Sequence, residues 1–181
     1  IHNSNIKKSE LFSELRKIWK SYDPKPIIEH MIPYQVPYLA LVLGEPNYPD
    51  KKINDCIIRL HRLKIPSAIY PFLIKILFEY NKNNLNKNIT IQIFKFLEEF
   101  FVSRAIVGFE PTGLHALFKG VWEDISSNPT KASLKKEIIK RPTIQYPTNK
   151  QLKEAIKTRP LANSRICSFI LRELDVSIKG D

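Results

Sequence analysis

Cysteine is nearly absent from this 181-residue chain, and the two that occur, Cys56 and Cys167, stand alone in different segments. Without a C-x-x-C pair or an even set at close spacing, neither a disulfide framework nor a thiol redox motif can be built, and a reduced, cytoplasmic compartment fits best. Glycine is sparse, at 5 residues, and methionine occurs once, at Met31. Starting at Ile1 with that single internal methionine, the sequence reads as an excised or processed part of something longer. No basic, apolar, small-residue leader is visible. The longest apolar run, near "PYLALVLG", is far short of the roughly 20 residues that a membrane span needs, so no membrane partner is expected. Also missing are G-x-x-x-x-G-K-[ST] and G-x-G-x-x-G loops, which excludes nucleotide binding by a P-loop or a Rossmann turn. There is no G-x-S-x-G elbow, and neither cysteine has a histidine beside it.

Charge of one sign dominates what is present. Lys and Arg number 29 against 18 Asp and Glu, for a net charge of +11. The excess is uneven. Lys131, Lys135, Lys136, Lys140, Arg141, Lys150, Lys153, Lys157 and Arg159 face only Glu137 and Glu154 across 131–159, so that segment alone supplies +7. Localised positive charge attracts a phosphate backbone, while the bland alternative is a solvated lysine-rich face.

Almost every segment has helical period. "KKSELFSELRKIWKSY" sets Leu11, Leu15, Ile18 and Trp19, with Phe12, on one side, and Ser9 with Phe12 and Ser13 behind it offers a cap region. "PIIEHMIPYQVPYLALVLGE" carries Pro33 and Pro37, which predict a kinked or split helix. Ile53, Cys56, Ile57, Leu60 and Leu63 share a face of the next helix, and Ile74, Leu77 and Phe78 point inward from the one after it. "NKNNLNKN" reads as a loop. From about Ile89 to Val107 the pattern is apolar nearly all round, with a narrow polar stripe of Gln92, Lys95, Glu99 and Ser103, which predicts the central helix of a bundle. Leu114, Leu117, Phe118, Val121, Trp122 and Ile125 make another inward face. A short basic helix, the extended "PTIQYP" and two further helices complete the chain. No alternating strand pair flanked by hairpin dipeptides occurs, and no fixed repeat stands out. The expected fold is all-α, a single multi-helix bundle of eight or nine helices without a sheet. Residues 1–128 would form the main bundle, with 129–181 as a basic helical segment packed on it.

Three places invite a chemical reading. Arg104 lies in line with Ile93, Leu97 and Phe100, on the buried stripe of the central helix. A guanidinium there needs a carboxylate or carbonyl partners, because an unpaired buried charge costs on the order of 3–5 kcal/mol. Asp124 or Glu123 on the following helix is the expected acid, if the two helices pack antiparallel across the short "GFEPTG" joint. Gly108 would end the first helix in the left-handed region and Thr112 would cap the second. Arg104 then serves as an internal strut, the alternative being direct ligand contact. The second place, "IIEHMIP", mimics the E-H-x-x-P face of HNH nucleases around His30. Its setting is apolar and helical, and such a site needs further ligands on a ββα element. Moreover His2, His30, His61 and His115 show no metal-ligand spacing. The third is the 148–158 helix. Lys150, Lys153 and Lys157 fall at i, i+3, i+7, Leu152, Ala155 and Ile156 lie to the other side, and Arg159 and Arg165 flank the end. Such a stripe can track a duplex backbone without reading sequence. No catalytic residue, cofactor or metal ligand is expected.

Two stretches together resemble a known family. "FLEEFFVSRAIVGFEPTGLHALFKGVWEDI" is similar to the "L-x-R-R-x-x-C-G-x-x-T-x-x-L-N-x-x-F" block in the helical part of GmrSD-type modification-dependent restriction endonucleases. "YPTNKQLKEAIKTRPLANSRICSFILRELD" resembles their later "W-P-x-D-x-x-F-x-x-A-L…Y-x-x-x-R-x-x-Y-I-L-x-x-L-E" block, and "IYPFLIKIL" their "Y-P-x-L-L-x-L" segment. In that family a ParB-like N-terminal domain with a D-G-Q-Q-R motif handles nucleotide and a C-terminal HNH domain cuts DNA. Neither motif is complete here, so the resemblance implies the helical region between them. Ser103 stands where the first Arg of the family pair is usual, Val107 where Cys is common and His115 where Asn is common. The expectation is a non-catalytic connecting module of a bacterial phage-defence protein, whose partners are the other domains of its parent and the backbone of double-stranded DNA. The competing expectation is a free-standing helical protein-interaction domain whose positive charge is incidental.

Overall fold

The computed structural model describes residues 9–161 and 165–179, with the side chains of Leu11 and Arg165 excepted. Among them are nine α-helices, one 3-10 turn at Ser67–Ile69 and no strand. The helices are α1 Leu11–Lys20, α2 Pro24–Leu43, α3 Lys51–Arg62, α4 Tyr70–Asn81, α5 Lys87–Val107, α6 Leu114–Ile125, α7 Lys131–Lys140, α8 Asn149–Thr158 and α9 Arg165–Lys179. None of the described helices is long and apolar enough to cross a membrane. The chain divides into two compact units, 1–35 and 36–181. The expected boundary at 128/129 thus falls inside the second unit, where α7, α8 and α9 all pack on α5.

In the first unit, Glu10 stands at the N-cap of α1, and its side chain makes no cap bond. The Ser13 hydroxyl donates back to the Glu10 carbonyl at 2.8 Å, so the Ser9–Ser13 region does not cap in the expected way. The apolar face expected to turn inward is not buried: Phe12 and Trp19 are exposed, and Leu15 and Ile18 are half-buried. Leu11 lies outside the described side chains. Helix α2 opens with Pro24 at its first position, where a missing N–H costs nothing, and runs unbroken through Pro33 and Pro37. Each proline forfeits one hydrogen bond, to Glu29 and Pro33 respectively. Being one turn apart, they forfeit bonds on the same side, and the other sides carry the helix.

In the second unit α5 is the centre, as its narrow polar stripe foretold. Ile93, Phe94, Phe96, Leu97, Phe100, Phe101, Arg104 and Ile106 are buried, and α3, α4, α7, α8 and α9 all pack against it. Helices α3 and α5 run in the same direction. Asp50, which caps α3 by accepting from Lys52 N at 2.9 Å, pairs with Lys87 at the start of α5, and Arg59 meets Glu98 further along both. Leu77 is buried as expected, but Phe72, Leu73 and Ile76 share the deepest positions of α4, while Ile74 and Phe78 are half-buried. The polar 82–86 loop buries one residue, Leu85.

Helix α6 does not lie along α5. It packs chiefly against α4, the 3-10 turn and α7, with Phe118 meeting Phe72 at 5.8 Å and Phe101 at 6.2 Å between ring centroids. The 142–147 connector takes up the space near the joint. Tyr146 stacks on Phe100 at 5.7 Å, and Ile144 is buried and faces Gly113.

Candidate nucleic-acid interface

Arg104 is buried, with 4% of its surface exposed, and burial lowers its pKa from the usual arginine value. The expected ion pair with Asp124 does not form. Asp124 instead accepts from Arg141 at 2.9 Å, because α6 turns away from α5 after the joint. The Arg104 guanidinium donates to two backbone carbonyls, Nη1 to Gln145 and Nη2 to Glu110. Its Cζ lies 5.4 Å from the Phe100 ring centroid and 5.7 Å from that of Phe109, so aromatic faces stand where a counter-ion was expected. Arg104 is therefore a strut, but one that ties the last turn of α5 to the joint and to the connector rather than to α6. Gly108 takes the expected left-handed conformation, φ +83, at the end of α5. The residue at the start of α6 is Gly113, with no side-chain cap, in place of Thr112.

The basic helix α8 is fixed at its start by a capping box. Gln151 N donates to Thr148 Oγ1 at 3.2 Å while Thr148 N donates to Gln151 Oε1 at 3.0 Å, which satisfies two end donors reciprocally. Leu152 and Ala155 are its half-buried side chains, and none is fully buried. Ile156, expected on the sheltered side, is 60% exposed. Lys150, Lys153 and Lys157 are all exposed, and none makes a hydrogen bond or ion pair with another described residue. From Lys150 to Lys157 the helix rises about 10 Å, which sets three ammonium groups along one side of a rod.

The other cations of 131–165 are mostly committed elsewhere. Arg159 Nη1 donates to the carbonyls of Ala105 at 3.1 Å and Ile106 at 3.0 Å, closing the C-terminal end of α5. In this position it serves as a structural cap of α5. Lys131 pairs with Glu99 at 3.7 Å, Lys140 with Glu137 at 3.4 Å and Arg141 with Asp124, while Lys135 sits over the Tyr146 ring. Arg165 begins α9, but its side chain lies outside the described residues. Lys150 and Arg159 also border an open cleft of about 780 Å³ with Val107, Glu154, Thr158 and Pro160.

One charged group was missed by reading the sequence. Arg59 Nε and Nη2 hold both carboxylate oxygens of Glu98, at 2.7 and 2.6 Å, while Nη1 reaches Glu173 at 2.5 Å. The fork geometry suits a bidentate carboxylate, and the Arg59 Cζ rests 5.6 Å from the Phe169 ring centroid. This joins α3, α5 and α9. The signal was present: Glu98 is the α5 acid that falls outside the polar stripe, so it required an internal partner.

His30 lies on continuous helix, 5.9 Å from the Tyr34 ring centroid, and the described residues include no strand from which a ββα element could be built. Among the described residues no group of three or more His, Cys, Asp or Glu is placed to hold a metal ion; His2 lies outside them. Burial pushes the Cys56 thiol up to about 11, leaving it protonated at neutral pH. No family model, curated protein or solved structure matches the chain.

Proposed function

We propose that this chain is the non-catalytic helical connecting module of a GmrSD-type modification-dependent restriction endonuclease acting in bacterial phage defence. It holds nucleotide-handling and nuclease domains of its parent in position and grips the duplex backbone through Lys150, Lys153 and Lys157. The supporting observation is that these three lysines share one side of α8, are exposed, and have no partner among the described residues, while Lys131, Lys140, Arg141 and Arg159 each make a contact within the chain. The cross-ties of Arg59 and Arg104 suit a module that transmits position, since each fixes segments distant in sequence.

The test is a salt titration of duplex DNA binding. Neutralising three phosphates gives a log–log slope near −2.7, roughly a 40-fold loss of affinity between about 50 and 200 mM salt. Reversing Lys150, Lys153 and Lys157 to Glu should abolish binding without disturbing the fold, because α8 contributes no fully buried residue. Absence of binding at low salt would rule out the backbone contact and favour the free-standing interaction domain.

A further inference from the structure

Among the described residues Arg104 is the only charged side chain that is buried, and its charge is not answered there. The strut bonds to the carbonyls of Gln145 and Glu110 engage two of the five N–H donors a guanidinium carries. They supply dipoles rather than a counter-charge. No described carboxylate pairs with Arg104, and burial alone accounts for its lowered pKa. A buried cation in this state gains from any anion that can reach it.

The same guanidinium borders a cavity. A space of about 190 Å³ lies between the turn after α3, the last turns of α5, the joint and the first turn of α9. Arg104 lines it together with Phe109, whose ring centroid is 5.7 Å from the Arg104 Cζ. That proximity brings the charged end of the side chain to the cavity, and not its stem alone. Neither Glu110 nor Gln145 is among the described lining residues. The walls are apolar, with Leu63, Ile65, Phe101, Leu114 and Ile166 all buried. Lys64 and Pro111 are exposed and mark the mouth. The described lining therefore holds two cations and no acid, and all of it belongs to the second unit.

Size and polarity together define what fits. A dry cavity of about 150 Å³ lined by Leu, Ile and Phe holds one benzene ring, so this one has room for a single ring or a short branched chain beside a small head group. Walls without donors or acceptors disfavour a polar tail, because an unpaired polar group is costly to bury. The planar guanidinium matches a carboxylate, which can accept from two of its N–H groups at once. Inorganic phosphate would offer the charge but nothing to the walls. We propose that the cavity binds a small monocarboxylic acid with a compact aromatic or branched apolar tail. Its carboxylate accepts from Arg104, and its tail lies against Ile65, Phe101 and Leu114.

The test is a titration of the full chain with benzoate at constant ionic strength, read from the methyl resonances of Ile65 and Ile166. Saturable shifts at these two residues are expected. Benzyl alcohol, which has the same ring without the charge, should bind about 30-fold more weakly, the low end of what losing one member of a buried charge pair costs. Inorganic phosphate should leave both resonances in place. Ala105 lines the cavity with a methyl group only, so Ala105→Leu should fill it and abolish the benzoate shifts while helix content by circular dichroism is kept. A folded Arg104→Met should bind benzoate no better than benzyl alcohol; if that variant does not fold, the alcohol and Ala105→Leu decide alone. Shifts that do not saturate, equal affinity for the alcohol, or benzoate binding that survives Ala105→Leu would each overturn the proposal. None of the α8 lysines is among the described lining residues, so the DNA reading stands or falls separately.

Discussion

Replacing Arg104 with methionine tests the strut most directly. The substitution keeps an unbranched apolar stem of similar reach and removes the guanidinium, leaving the carbonyls of Glu110 and Gln145 without their donor. Hydrogen bonds from a charged group contribute about 1.5–3 kcal/mol each. The lower end applies here, because both acceptor residues lie at the surface, so the two bonds together amount to about 3 kcal/mol. Contact with the Phe100 and Phe109 faces adds about 1 kcal/mol. Against this, methionine relieves the cost of burying a cation that has no carboxylate partner, on the order of 2 kcal/mol after the carbonyls are counted. The balance is a net loss of about 2 kcal/mol, or about 4–8 °C in Tm for a domain of this size.

Arg104→Lys separates geometry from charge. One ammonium cannot span two carbonyls as the planar fork does, and the same burial that lowers the arginine pKa would lower that of a lysine. The folded state would then bind fewer protons than the unfolded state between the depressed folded pKa and the unfolded lysine pKa near 10.4, so stability should rise with pH through that window. Chemical denaturation of the wild type and both variants, at neutral and at alkaline pH, reads all of this. If Arg104→Met is as stable as the wild type, or Arg104→Lys is equally stable and shows no alkaline gain relative to it, the guanidinium is not bridging a dry joint and the reasoning fails.

Three further outcomes can be checked. In Gly108→Ala the left-handed backbone costs about 1–2 kcal/mol and the new Cβ meets the Arg159 guanidinium. Stability should therefore fall by about 2–3 kcal/mol, but by less in an Arg159→Met background; additive losses would separate the two residues. Thiol labelling at mild alkaline pH should modify half-buried Cys167 quickly and Cys56 only on unfolding, because burial holds the Cys56 thiol protonated; two equally fast thiols would contradict that placement. The hydrogen bond from Lys87 holds the Asp50 carboxyl below its ordinary range, so its contribution is present above the unfolded aspartate pKa near 4 and fades as pH falls through the lower folded value. Urea midpoints of the wild type and Asp50→Asn, which retains a capping oxygen, should differ at neutral pH and converge in acid; a constant gap would count against the ion pair.

The all-helical class was legible because apolar spacing and proline or glycine punctuation agree along most of the chain. The centrality of α5 followed from four polar positions, Gln92, Lys95, Glu99 and Ser103. The lysine side of α8 was legible for the same reason of spacing. What the residues could not disclose is where a cation finds a carbonyl. Arg104 and Arg159 both end on backbone oxygens, and every residue offers one, so no side-chain type marks the acceptor. Side-chain types thus point to Asp124 or Glu123 as the acid opposite Arg104, whereas Asp124 pairs with Arg141. Helix α1 shows the complementary gap. Its periodicity identifies an apolar face at Phe12, Leu15 and Trp19 but says nothing of what lies against it.

The Arg159 contact with Ala105 and Ile106 also bears on how the chain matures during synthesis. A helix whose final turn is closed by a side chain 53 and 54 positions downstream must wait for that arginine to leave the ribosome. Until then the tail of α5 has its glycine stop but lacks its clasp. The innermost rod of the second unit is thus among the last to be sealed, and fragments ending before residue 159 should show early proteolytic nicking near Val107.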